Sequence, residues 1–383
     1  MPTARLTRLF SFCSLLALKT HCSGRDGSEC LRVLILRDDP WLLTGLPDVL
    51  AGELATIETD FAPEVPPVAV SFRNKGKLAA IALRQLGRLI FSGFHRRVQA
   101  ADAVLACGIT VVLPYLLLAR MGKRFRPKGP IVIAFFFLHR LGQKRWVQRA
   151  LRVLLDDRRV RLAVYSEADR EYFSTTVGLR RASIAVVPYG QPEPVLAPLP
   201  ADRPLRYVFA GGYSNRDYQT VGRALVATGL PSVVVCSALN PLPEFPDTVR
   251  VLRDIDPREF NAWVARADLV VIPLGDRVGS SGQAVALTAM SLGRAIVYSD
   301  TPCLREYFVP GTTGAPYAQG NDVDLAARLR ALWDDFPRRE RMGSAARADF
   351  EARFTQRRMF AGLAKLIGDG NSCREQADCK GAR

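Results

Sequence analysis

Histidine is nearly absent from this sequence of 383 residues, which has only three. None of its eight cysteines forms a C-x-x-C pair. So few imidazoles and no paired-thiol spacing argue against a zinc site. A membrane-spanning helix is also missing from the pattern. No segment reaches the roughly 18 uninterrupted apolar residues such a helix needs. The nearest, Ile109 to Ala119, is short and contains Pro114. Acidic charge is scarce in one region: between Arg73 and Arg161 there are 20 Lys/Arg against 3 Asp/Glu, while the rest of the chain holds 33 basic and 34 acidic residues. The net charge of +16 therefore sits in one region, whose surface is expected to face something anionic. Membrane lipid, a phosphorylated acceptor and nucleic acid all qualify. Nucleic acid is the weakest of the three, because no nucleic-acid motif is present and the charge lies on one half of the chain. Cys107, Cys236 and Cys303 fall in or beside apolar segments and read as reduced core thiols, which suits a cytosolic protein.

What is present is alternation. Leu31–Leu36 is a short apolar run ending in Arg37-Asp-Asp-Pro40, and it reads as a buried first strand. Similar runs follow at Ala103–Cys107, Ile131–Phe137, Arg161–Tyr165 and Ile184–Val187, with helical patterns near 75–91, 110–121, 143–155 and 167–176 between them. A stretch from Gln191 to Pro204 with five prolines reads as an extended linker, since proline lacks an amide donor and fixes φ. Alternation restarts with strands at Arg206–Ala210, Ser232–Cys236, Val249–Leu252, Leu269–Pro273 and Ala295–Ser299, and helices near 216–228, 257–266, 282–292, 322–335, 338–352 and 356–367. Strand–helix alternation of this kind predicts an α/β fold with two Rossmann-like, doubly wound parallel sheets. The predicted layout is a leader over 1–30, a first domain over 31–190, the linker over 191–204, a second domain over 205–368 and a disordered tail over 369–383. In the leader, Arg5 and Arg8 precede an apolar run that resembles a signal core. The cleavage pattern is poor and Lys19 follows at once, so a disordered or interfacial segment is expected.

The stretch from Gly279 to Asp300 concentrates the chemistry. It reads as a small-residue turn (Gly279, Ser280, Ser281, Gly282), a helix opening at Gln283, a stop at Gly293 and a buried strand. A helix N-terminus leaves amides unpaired and carries partial positive charge. With Gly and Ser in front of it, the backbone can approach a phosphate closely. The same residues would also serve an ordinary turn with Ser as N-cap.

The order of elements resembles the GT-B glycosyltransferases, in particular the group-one class (family four) that uses nucleotide sugars. The resemblance covers most of 31–368. It is carried by Tyr207-Val-Phe-Ala-Gly-Gly-Tyr-Ser-Asn-Arg-Asp-Tyr218, by Ala267-Asp-Leu-Val-Val-Ile-Pro273, by the 279–300 stretch, and by Asp300–Tyr307, Gly311–Gly314 and Gly320–Leu325. In the first half, Tyr165-Ser-Glu167 and Val187-Pro-Tyr-Gly190 are similar to the family's last two strand ends. The resemblance implies two domains facing each other across a cleft, with the second binding a nucleotide diphosphate sugar. It also implies transfer with retention and no required cofactor or metal. The acceptor would be a saccharide or lipid-linked intermediate of surface polysaccharide synthesis. The protein would then be cytoplasmic, with its basic first half against the anionic inner membrane face. One departure stands out. The family places two glutamates eight positions apart, the first on sugar hydroxyls and the second on the ribose, and Ser280 and Thr288 occupy those positions here. A catalytically silent scaffold, a nucleotide-sugar epimerase and an inverting transferase remain as alternatives.

The donor-binding candidates are Gly211, Gly212, Asn215 and Arg216 after one strand, Gly279, Ser280, Ser281, Gly282, Gln283 and Thr288 after another, and Glu306 in a short turn. Arg216 would neutralise the leaving diphosphate, where negative charge develops, unless Asp217 simply pairs with it. Glu306 would approach the nucleotide or sugar, or else cap its own turn. The catalytic candidates are His139, at the end of an apolar strand where parallel sheets meet their ligands, and Asp38 and Asp39, one of which would act as general base in an inverting enzyme. Plain structural roles are open for all three. The triplets Asp254-Ile-Asp256 and Asp322-Val-Asp324 each precede a helix, and capping is the expected role rather than metal binding.

Overall fold

The computed structural model describes residues 32–37, 56–61, parts of 83–91, 93–135, 144–275 and 280–381. Asp38, Asp39, His139 and Gly279 lie outside the described residues, as does most of the basic helix expected near 75–91.

The first sheet comprises β1 (Arg32–Arg37), β2 (Thr56–Phe61), β3 (Ala103–Cys107), β4 (Ile131–Ala134), β5 (Val160–Val164) and β6 (Ile184–Val186), in the order β2-β1-β3-β4-β5-β6. The second comprises β7 (Val208–Gly211), β8 (Ser232–Cys236), β9 (Val249–Arg253), β10 (Leu269–Ile272), β11 (Ala295–Ser299) and β12 (Ala315–Tyr317), in the order β12-β11-β10-β7-β8-β9. Every pairing in both is parallel. Because parallel strands bury both faces, their sequences are apolar runs without alternation. Successive side chains still enter opposite cores. Phe209 joins one buried cluster, and its neighbours Val208 and Ala210 join the other.

In the first half, α1 (Phe94–Ala100) packs beneath the sheet, α2 (Ile109–Met121) joins β3 to β4, α3 (Arg145–Leu155) joins β4 to β5, and α4 (Glu167–Glu171) follows β5. In the second, α5 (Tyr218–Thr228) follows β7, α6 (Pro257–Arg266) joins β9 to β10, and α7 (Gln283–Ser291) joins β10 to β11. Short α8 (Pro302–Arg305), then α9 (Asp322–Trp333), α10 (Phe336–Asp349) and α11 (Gln356–Gly381), complete the chain.

The last helix alters the predicted domain boundary. Met359, Phe360, Leu363, Ala364 and Ile367 are buried against Val33, Ala103, Leu105, Val132 and Ala134 of the first sheet. The end of the chain therefore completes the core of the first domain. The helix also continues to Gly381, where disorder was expected from Asp369. Its packed turns supply a nucleus from which further turns extend at low cost. Two strands of chain link the halves side by side. Gln191 N–H donates to Phe354 O at 3.1 Å, and Gln356 N–H donates to Gln191 O at 3.0 Å. Gly190 is needed there, because a Cβ would lie 2.4 Å from the Thr355 carbonyl oxygen.

Candidate donor site

In the second sheet the chain winds outward in both directions from the neighbours β7 and β10. Ligands of such sheets bind at this reversal, off the carboxyl ends of the strands. The loops leaving β7 and β10 meet here and are tied together. Asp217 N–H donates to Pro273 O at 3.0 Å, Gly275 N–H donates to Asn215 O at 3.2 Å, and Arg216 bridges antiparallel to Leu274. Asn215 is buried and has a left-handed φ of 51°, a conformation that asparagine tolerates better than most residues.

Arg216 is held at this junction by carbonyl oxygens. Its Nε donates to Gly211 O at 2.9 Å, one terminal nitrogen donates to Ser214 O at 2.6 Å, and the guanidinium lies on the Gly212 backbone. It makes no ion pair among the described residues. Asp217 is otherwise engaged, capping α5 through Thr220 N–H at 3.0 Å and the Thr220 hydroxyl at 2.6 Å. Burial pulls the Arg216 guanidinium below its ordinary pKa, which is the signature of a desolvated cation lacking a counter-charge.

The start of α7 adjoins the same junction. Gly282 is its N-cap with φ 87°, and no side chain caps the helix, so the alternative of a serine cap is not realised. A Cβ at Gly282 would lie 3.1 Å from both Ile272 and Leu274. Leu274 thus touches Gly282 and pairs with Arg216, which brings the two predicted halves of the site together. Gln283 opens the helix at 5% exposure, and its Nε2 has no partner among the described residues. Thr301 Oγ1, beyond the end of β11, is buried and likewise unpartnered. A partly desolvated cation, uncapped helix amides and the idle Gln283 donor together suit a multiply charged anion.

Other candidates serve the junction between the halves. Ser280 N–H donates to Asp169 Oδ1 of α4 at 3.1 Å, and its hydroxyl donates to Asp169 Oδ2. Ser166 Oγ donates to the same oxygen at 2.7 Å. Thr288 Oγ1 donates to Ala284 O and lies 2.9 Å from the Gln191 side-chain amide. Both positions that hold glutamate in the resembled family are thus tied to the first half or to the linker. Glu306 reaches across to the first half. Its two carboxylate oxygens accept Glu167 N–H at 2.8 Å and Ala168 N–H at 3.1 Å, so it caps α4 across the cleft. The adjacent Tyr307 hydroxyl donates to Tyr165 O at 3.0 Å and accepts from Tyr189 N–H at 2.9 Å. Asp169, the partner of Ser280, was not singled out from the sequence. In Ser166-Glu-Ala-Asp169 it reads as an ordinary first-turn acid, and only the fold brings it to the loop.

Of the aspartate triplets only Asp256 makes the expected cap, while α9 is capped by Asn321 and takes Asp322 and Asp324 into its first turn. Asp256 caps α6 through Arg258 N–H at 2.8 Å, Asp322 pairs with Arg223 at 2.9 Å, and Asp324 accepts Ala318 N–H at 2.8 Å. Among the described residues no group of three His, Cys, Asp or Glu side chains is arranged to hold a metal.

The family model described as Glycosyl transferases group 1 matches residues 201–335, the part of the chain that carries both loops. No curated protein matches the chain in sequence. Solved structures match over nearly its whole length. The sucrose-phosphate synthase of Thermosynechococcus elongatus superposes with a TM-score of 0.68 at 15% identity, covering 88% of this chain and 98% of its own. A glycosyltransferase from Rickettsia africae gives 0.60 at 11% identity, covering 89% and 99%. HepE of Anabaena, in complex with UDP and glucose, gives 0.60 at 14% identity, covering 88% and 100%.

Proposed function

We infer, from the Glycosyl transferases group 1 domain that spans residues 201–335 and the GT-B fold that contains it, that this chain is a glycosyltransferase drawing on a nucleotide diphosphate sugar. The observation that carries the donor reading is Arg216, a partly buried guanidinium bound only to carbonyl oxygens among the described residues, at the reversal point of the second sheet. A departing diphosphate would supply the missing counter-charge. The uncapped amides of α7 and the idle Gln283 amide would share the load where charge builds during transfer. Because the Anabaena neighbour holds UDP, UDP leads the panel of nucleotides to test.

The acceptor is a saccharide or lipid-linked intermediate presented at the cytoplasmic face of a membrane, and transfer proceeds with retention. The lopsided charge of the first half supports the membrane reading, and the resemblance to the group-one class supports retention. The binding test is thermal unfolding with nucleotide diphosphates. The expected result is a rise in melting temperature that Arg216→Ala removes; no rise with any common nucleotide would sink the donor reading. The tying of Ser280 to Asp169 and of Thr288 to Gln191 favours one alternative, a binding-competent but silent scaffold. That alternative predicts the same thermal shift with no sugar transferred to any acceptor.

A further inference from the structure

The outer surface of the basic half carries residues that water does not select. Helices α2 and α3 follow adjacent strands by crossovers of the same hand, which places them side by side on one face of the sheet. On α3, Leu151 and Leu155 face the sheet at 3% and 1% exposure, while Trp146 and Val153 on the opposite side are exposed by 66% and 61%. At 100° per residue, those two stand about 20° apart. On α2, Leu117 and Met121 lie one turn apart and are exposed by 41% and 76%. A solvent-facing helical stripe ordinarily carries charge. Here the charge lies beside the stripe, with Arg145, Arg149 and Arg152 along one flank of α3. No acidic residue occurs between Asp102 and Asp156. The next two acids are engaged, Asp156 with Arg180 at 3.4 Å and Asp157 with Arg120 at 3.8 Å. Arg145, Arg149 and Arg152 make no ion pair among the described residues.

We propose that this face is an interfacial membrane contact. Trp146, Val153, Leu117 and Met121 enter the boundary between headgroups and acyl chains, and the flanking arginines bind the phosphates of anionic lipid. A second copy of the chain is disfavoured as the occupant, since two faces of this charge repel. A nucleic-acid backbone would leave the apolar stripe in water. The proposal deepens the membrane-acceptor reading by naming the surface and the lipid chemistry.

The test uses the full chain with vesicles of phosphatidylcholine alone or enriched in phosphatidylglycerol. Sedimentation with the anionic vesicles is expected, weakening as salt rises, with none on the neutral ones. Arg149→Ser should weaken binding about fivefold, the equivalent of about 1 kcal/mol per basic residue. Trp146→Ser should weaken it about tenfold or more. Acyl chains bearing bromine should quench the tryptophan emission of the wild type, and Trp146→Phe should remove that quenching. Both substituted side chains are exposed, so the melting temperature and its rise with nucleotide should not change. No binding to anionic vesicles at low salt overturns the proposal. So does vesicle binding that Trp146→Ser and Arg149→Ser leave intact, or a concentration-dependent dimer formed through this face without lipid affinity. Vesicle binding without any nucleotide shift would uphold the docking surface and reject the donor reading.

Discussion

Replacing Asp169 by alanine tests whether the donor loop is held from across the cleft. The carboxylate, 8% exposed, accepts Ser280 N–H at 3.1 Å and the Ser280 hydroxyl, as well as Ser166 Oγ at 2.7 Å. A hydrogen bond to a charged acceptor contributes about 1.5–3 kcal/mol, so the two to Ser280 contribute about 3–6 kcal/mol before offsets. Alanine also relieves the desolvation of an ion that has no cationic partner among the described residues. The net loss of loop positioning is therefore about 2–3 kcal/mol, which corresponds to a fall in kcat/KM of about 30- to 150-fold. Asparagine keeps an acceptor for Ser280 N–H and loses only the charge, so its cost is about 1 kcal/mol, or about fivefold. The assay is release of nucleotide diphosphate from the donor at varied donor concentration, with nucleotide binding followed in parallel by thermal shift. Binding should persist in both variants, because Arg216 and the start of α7 do not depend on Asp169. An Asp169→Ala enzyme whose kcat/KM stays within about twofold of wild type would refute the reasoning.

Three further outcomes are expected. Gly282→Ala places a Cβ at φ 87° and 3.1 Å from Ile272 and Leu274, which should cost about 1–3 kcal/mol; the checks are a lower melting temperature and a weaker nucleotide shift. Phe360→Ala empties a position 1% exposed between α11 and the first sheet, and chemical denaturation should show a loss of about 3–5 kcal/mol. Burial, with Asp169 adding to it, pushes the Cys303 thiol up to about 12. Cys303 of the native protein should therefore resist thiol-directed reagents at mildly alkaline pH and react once the protein unfolds, as mapped by peptide mass. Because the folded-state pKa lies above the unfolded one, the thiol's contribution is fully present below the unfolded pKa of about 8.5 and is lost as pH rises from there towards 12. Denaturation midpoints of wild type and Cys303→Ser, compared across that window, report the difference.

The sequence revealed the sheets where burial imposes continuous apolar runs and failed where it does not. β3, β8 and β11 match their predicted bounds because each is buried along its whole length. β2 (Thr-Ile-Glu-Thr-Asp-Phe) pairs only with β1 at the sheet edge, so no apolar run marks it. β12 has three residues, one of them Pro316, a residue tolerated at an edge. Helix α1 offers only Phe94 and Val98 to the core, too little periodicity to register. At the site, the glycine turns and Arg216 were legible because close backbone approach demands particular residues at particular strand ends. The roles of Asp169 and Glu306 were not, since their partners lie 111 and 139 residues away. A carboxylate that caps a neighbouring domain has the same local sequence as one that binds a sugar.

The placement of α11 has a consequence for how the protein is made. The first sheet is finished by Met359, Phe360, Leu363 and Ile367, which leave the ribosome after the whole second domain. The second half holds all its own strands and can close as soon as they emerge. The first half, although synthesised first, must wait with one side of its sheet bare. A chain released before about residue 360 would carry a complete second sheet beside an unsealed apolar wall, and it would go to proteases or aggregates. Translation order and folding order are therefore inverted in this molecule, and the last two turns of its packed sequence decide whether the first domain survives.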